Sequence, residues 1–174
     1  SGLVIDFEPD NLQCLWVLGP QDRTNPYLSE KLAQAAPLSN LNQIVPEADQ
    51  PLNPQIFGRE PAHDWCYYYQ KADLARQIQD WGKVVSLWRE AEQRGMHPHV
   101  GVEYGAFIEG FAHTGDWSTA LDLTRKAAFP KYVMRAYVCS TWARVASSTP
   151  QTAEKQRAIN TVINDFDCQD ELKK

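Results

Sequence analysis

The side chains able to do chemistry in this chain are few and scattered. Glycoside hydrolysis needs two carboxylates facing each other across a cleft, and Asp73, Asp80, Glu103 and Glu109 are the candidates. Asp80 and Asp116 each stand just before an amphipathic run, where a helix N-cap belongs, and Glu103 falls in a first helical turn, where a negative charge offsets the helix dipole. Structural roles account for these carboxylates, so no catalytic residue is expected. His97 and His99 flank Pro98 in a loop, and His113 lies one turn after Glu109 on a helical run. A metal seated there would need a third ligand from elsewhere, and neither metal nor other cofactor is expected. Gly-x-Ser-x-Gly elbows, P-loops and dinucleotide fingerprints are absent from the sequence. Cys14, Cys66, Cys139 and Cys168 are widely spaced with no CxxC pair. Their even number permits disulfides in any of three full pairings that the sequence does not rank, and buried free thiols are the other reading.

Charge narrows the partners. Seventeen Lys and Arg against 22 Asp and Glu leave a net charge of -5, with no basic stripe of the kind nucleic-acid binding requires. No apolar run approaches the roughly 18 to 20 residues that span a bilayer, and no signal peptide opens the chain. At 174 residues the chain can bury one sizeable core. Its start at Ser1, followed at once by Leu3-Val4-Ile5, reads as a piece of a larger parent, with any membrane link made through the missing part.

The elements that must position these residues fall into two regions. In residues 1–62, Leu3 to Phe7 and Leu12 to Leu18 are short apolar runs around the turn cluster Glu8-Pro9-Asp10-Asn11, predicting a small β-element. Asn25-Pro26 predicts the capped start of a short helix to Ala36. Between Pro37 and Pro61 prolines are dense and apolar residues sparse, which predicts an extended strap draped over the rest or, alternatively, a flexible linker. In residues 63–174 the pattern turns helical. Asp64, Asp80, Asp116 and Thr149 are expected caps, and helices are predicted from 65 to 78, 81 to about 94, 102 to 114, 117 to 128, 131 to 146 and 150 to 166.

A repeat of period 36 organises this second region. Tyr68, Leu74, Asp80, Trp81, Leu87 and Ala91 recur as Tyr104, Gly110, Asp116, Trp117, Leu123 and Ala127, and only Leu74/Gly110 differ in kind. With Ala72 and Ile108, Val84 and Ala120, and Ala91 and Ala127 at the three small positions, the pattern resembles degenerate tetratricopeptide repeats. That resemblance implies a mainly α fold, a tetratricopeptide-like stack of about three helical hairpins. A small N-terminal β-element and an extended proline-rich segment would accompany it. It also implies that the first helix of each hairpin lines a concave face, carrying Tyr69, Asp73 and Arg76 in one repeat and Glu109 and His113 in the next. These five are the expected binding residues, with Tyr69 and Arg76 as anchors, unless the strap itself fills the groove. Trp81, Trp88, Trp117 and Trp142 are expected in the core.

A narrower resemblance covers most of the chain. Cys14-Leu15-Trp16-Val17-Leu18, Ala35-Ala36-Pro37-Leu38-Ser39-Asn40-Leu41, Phe57-Gly58-Arg59-Glu60-Pro61, Trp65-Cys66-Tyr67-Tyr68 and Phe107-Ile108-Glu109-Gly110-Phe111-Ala112 resemble the C-terminal soluble domain of uncharacterised bacterial polytopic membrane proteins. Those proteins are similar to membrane glycosyltransferases. The resemblance implies an extracytoplasmic tail domain carrying no catalytic residue, and in that setting a Cys14–Cys66 disulfide. The expected function is a non-catalytic, protein-interaction or scaffolding domain that docks a peptide, a protein or another part of its parent chain. The alternative is an accessory glycan-binding domain that presents substrate to a transferase.

Overall fold

Two residues in the left-handed region mark where the repeat turns. The computed structural model describes residues 2–7, 14–45, 53–58 and 62–172. In it, Gln79 and Gly115 have φ of 60° and 83°, each just before the aspartate that starts the next helix. Asp80 and Asp116 then adopt nearly the same backbone angles and accept from the Lys83 and Thr119 amides at 2.9 and 3.1 Å. Their own amides reach back to the Ala75 and Phe111 carbonyls at 2.8 and 2.9 Å. The 36-residue repeat is thus a repeated turn, closed by the same bonds in each copy.

The chain is mainly helical. Helices α1 (Glu30–Ala35) and α2 (Pro54–Phe57) are short; α3 (Trp65–Gln77) with α4 (Trp81–Gln93), α5 (Gly105–His113) with α6 (Trp117–Ala127), and α7 (Lys131–Ser148) with α8 (Ala153–Phe166) form three hairpins, and α9 (Gln169–Leu172) follows. The first helices α3, α5 and α7 pack side by side as an inner layer, with α4, α6 and α8 outside them. This is a helical-repeat architecture. Gly110 explains why the Leu74/Gly110 pair breaks the pattern: a Cβ there would collide with Val84 of α4. Trp88 and Trp142 lie in the core, but Trp81 and Trp117 are only partly buried, packed against it from the side. Both stand at the turn within a hairpin, at the end of a helix where the core covers them only in part, which the helical spacing did not reveal.

A third layer, built from the N-terminal region, lies on the inner helices. Strands β1 (Val4–Asp6) and β2 (Trp16–Leu18) pair antiparallel with Ile5 opposite Val17, while the turn expected at 8–11 lies outside the described residues. Cys14, just before β2, is joined to Cys66 on α3, and the Leu15 carbonyl accepts from the Gln70 side chain at 3.3 Å. A 3-10 turn over Pro20–Thr24 reaches across to α7, where Thr24 and Ser140 share a 2.7 Å hydrogen bond. The cap of α1 is Ser29, whereas Asn25 is buried and its side chain accepts from the Tyr27 amide. Strap residues 46–52 and 59–61 lie outside the described residues, and within the rest Leu38 and Ile56 are exposed rather than seated in grooves. Thr152, not Thr149, caps α8. Thr149 is buried at the end of α7, where the fully buried Lys155 ammonium donates to the Ala146 and Thr149 carbonyls at 2.6 and 2.8 Å and satisfies that helix end. A second disulfide, Cys139–Cys168, ties α7 to the segment after α8.

Candidate functional site

The inner layer would be an open concave face if the N-terminal layer did not cover part of it. Tyr69 shows the covering: it lines a cavity of about 170 Å³ whose other walls include Leu15, Val17 and Ile44. Burial, with Asp73 nearby, pushes its phenol well above the usual range. Tyr69 does face the inner side, but it is roofed by the chain itself and is no exposed anchor. Its neighbours divide the remaining work, with Tyr68 fully buried and donating to Glu90 at 3.1 Å and Tyr67 stacked on His63.

Beyond that roof the face opens into a cavity of about 700 Å³, bounded by Gln21 and Asn42 of the N-terminal layer, by the end of α3 and by α5 and α7. Arg76, Glu109 and His113 line it, so three of the five expected residues meet there. A fourth, Asp73, stands behind Arg76: Arg76 Nε donates to Asp73 Oδ1 at 2.9 Å, and Gln77 donates to Oδ2 at 3.1 Å. Arg76 is 11% exposed as a side chain, with Nη2 2.8 Å from that same Oδ1 but without a hydrogen bond of its own. Desolvation would lower the guanidinium pKa, but Asp73 and Glu109 outweigh it and hold Arg76 charged.

Arg144 completes the wall and was not among the expected residues. Its Nε and Nη2 donate to Glu109 Oε1 at 3.2 and 2.7 Å, and Nη2 also reaches Thr141 at 3.2 Å. Ser148 pairs with His113 Nε2 at 3.0 Å. Arg144 and Ser148 each lie 35 residues after their partner, close to one repeat further along. Extending the period into the third hairpin is the signal that finds them. The His113 ring stacks on Trp81 at 3.9 Å and 7°, and burial lowers its pKa despite Glu109. Behind the cavity, burial and then Asp73 push the Asp22 carboxyl up to about 6, against the lowering effects of the Gly19 amide, Arg76 and Arg144. Asp22, Asp73, Arg76, Glu109 and Arg144 therefore act as one charge network between the N-terminal layer and the inner helices.

The remaining candidates have other duties. Glu103 does stand in a first turn, that of the 3-10 stretch Gly101–Tyr104, but it is fully buried there, accepting on Oε2 from Trp65 Nε1 at 2.7 Å and the His99 amide at 2.8 Å. Asp80 and Asp116 are caps; burial alone would raise the Asp116 pKa, but hydrogen bonds from Thr119 and Ser118 hold it below the usual range. Cys14, Cys66 and His99 cluster closely enough for a metal, but both sulfurs are spent in the disulfide.

The fold and site together define a helical-repeat domain with a covered inner face and a polar, charge-paired cavity at one end of it. The chain matches no family model, no curated protein and no solved structure.

Proposed function

We propose that this chain is a non-catalytic recognition domain of a bacterial membrane protein, resembling degenerate tetratricopeptide repeats. On this reading its inner-face cavity binds a glycan for presentation to a membrane glycosyltransferase. The observation that carries this reading is the cavity itself. Its volume suits a small polar ligand. Its wall combines the Trp81 ring with guanidinium, carboxylate, amide and hydroxyl groups from Arg76, Glu109, Arg144, Gln77 and Ser147. Such planar donors and acceptors match a polyol, and the apolar side chains of Leu74 and Ile78 suit the C–H face of a sugar. A peptide laid along the concave face would need the length of groove that Leu15, Val17 and Ile44 occupy. Two disulfides support an oxidising, extracytoplasmic setting. No helix among the described residues is long and apolar enough to cross a membrane.

A second reading, a protein-interaction or scaffolding domain, rests on a different surface. Phe129 and Tyr132, at the turn between α6 and α7, are 81% and 85% exposed, and aromatic rings of that kind anchor protein interfaces. One pair of experiments separates the readings. Titration with oligosaccharides should quench Trp81 emission in the wild type and not in a Ser147→Trp variant that fills the cavity. Capture from detergent-solubilised membranes should be unaffected by Phe129→Ser/Tyr132→Ser if the glycan reading holds. Loss of a specific protein in that variant, with no response to any saccharide, overturns the glycan reading.

A further inference from the structure

The cavity wall carries two guanidiniums, Arg76 and Arg144, against one carboxylate, Glu109, and the imbalance has a sign. Arg76 is already paired: its Nε donates to Asp73 Oδ1, and its buried Nη2 lies 2.8 Å from the same oxygen. Arg144 spends Nε and Nη2 on a single oxygen of Glu109 and on Thr141, which leaves the Nη1 hydrogens. Gln21, Asn42, Gln77, Gln79, Ser147 and Ser148 add neutral groups to the same wall that both donate and accept. The carboxylates that balance the guanidiniums are placed unevenly. Glu109 is in the wall, whereas Asp73 and Asp22 stand behind it and do not line the cavity. Two fixed cations and one anion face the ligand. The group that best suits the Arg144 Nη1 hydrogens beside a second guanidinium is acceptor-only, planar and negative: a carboxylate.

Resting on the glycan reading above, we propose that the cavity selects acidic saccharides. The uronate carboxylate would be taken by the Nη1 hydrogens of Arg144, with Arg76 in the same wall as a second positive charge, and the pyranose ring would lie beside Trp81. The ring hydroxyls then meet Gln77, Glu109 and Ser147 on the same wall. Neutral sugars fill the same space but give Arg144 Nη1 no charged partner, so selectivity comes from charge rather than from shape.

Calorimetry on the oxidised full chain tests this, using a trigalacturonate, its fully methyl-esterified form and neutral maltotriose. The esterified form keeps the ring and size and removes the charge, so the comparison needs no mutation. The acid is expected to bind at least ten-fold tighter than its ester and than maltotriose. Arg144→Gln, checked for an unchanged circular dichroism spectrum, is expected to erase that preference, while Arg144→Lys restores part of it. Equal binding of acid and ester overturns the carboxylate seat and leaves the glycan reading standing. Absence of binding by all three overturns both. Binding of an acidic peptide with a free C-terminus, in preference to every saccharide, overturns the saccharide assignment.

Discussion

Removing the Cys14–Cys66 bridge should destabilise the protein by about 4 kcal/mol, because it closes the longer of the two disulfide loops. Its cysteines are 52 residues apart, and the loop-closure entropy withheld from the unfolded chain at that length is worth about 4 kcal/mol at 25 °C. Cys139–Cys168 closes 29 residues, worth about 3.5 kcal/mol by the same relation. The loops neither overlap nor nest, so their contributions should add. A domain of this size has about 5 to 15 kcal/mol in total, so the two bridges together, about 7.5 kcal/mol, make up half of it or more. The assay is urea unfolding of the Cys14→Ala/Cys66→Ala and Cys139→Ala/Cys168→Ala proteins, followed by Trp emission, with thiol counting on the wild type. The Cys14 bridge has an added consequence because it pins the N-terminal layer that roofs Tyr69 and bounds the inner-face cavity. Its removal should therefore raise hydrogen exchange in residues 14–24 well before global unfolding. A loss below about 1 kcal/mol, or two free thiols at these positions in the native protein, would refute the reasoning.

Further outcomes follow from individual residues. Asp22 is held protonated more readily in the folded state, with its pKa raised from 3.8 to about 6. Between these values the native protein binds more protons than the unfolded chain, so stability falls as pH rises through that window and is level above it. The loss is about 3 kcal/mol, and Asp22→Asn should remove it, as unfolding curves at pH 4 and pH 8 would show; parallel profiles for the two proteins would contradict the burial of Asp22. Gln79, with φ of 60°, should gain about 1 kcal/mol on replacement by Gly, as Gly115 already supplies in the next repeat; a loss in denaturant midpoint would mean that its side chain has a role the turn does not explain. Trp142, fully buried with Nε1 donating to Thr124 at 2.9 Å, should cost about 3 to 5 kcal/mol on replacement by Ala. The partly buried Trp81 should cost distinctly less, and equal melting shifts would argue against their different burial.

Much of the fold was legible because its signals are local. Asp64, Asp80 and Asp116 cap helices through bonds to amides three residues on, and such bonds depend on little beyond the adjacent sequence. The repeated turn is equally local, and so the hairpin stack followed from period and capping alone. Where caps were misplaced, at α1 and α8, a second capping residue lay three or four positions away, and packing chose between them.

Placing Arg76, Glu109 and His113 on a shared inner face needed only the helical period and the hairpin turn. What the sequence could not determine is what lies over that face. The Cys139–Cys168 pairing, the β2 layer roofing Tyr69, and the Arg144–Glu109 contact all join residues far apart in the chain, and Cys14–Cys66 was expected only from the resemblance. Their geometry depends on how whole layers seat against each other. Glu103 and Lys155 teach the same lesson from the interior. Residue type assigns both to water, and only the buried partners supplied by Trp65 and His99, and by the Ala146 and Thr149 carbonyls, make their burial possible. Sequence set the repeat through short-range hydrogen bonding and periodicity; tertiary structure set the cavity, because its polarity and shape come from long-range packing of one layer over another.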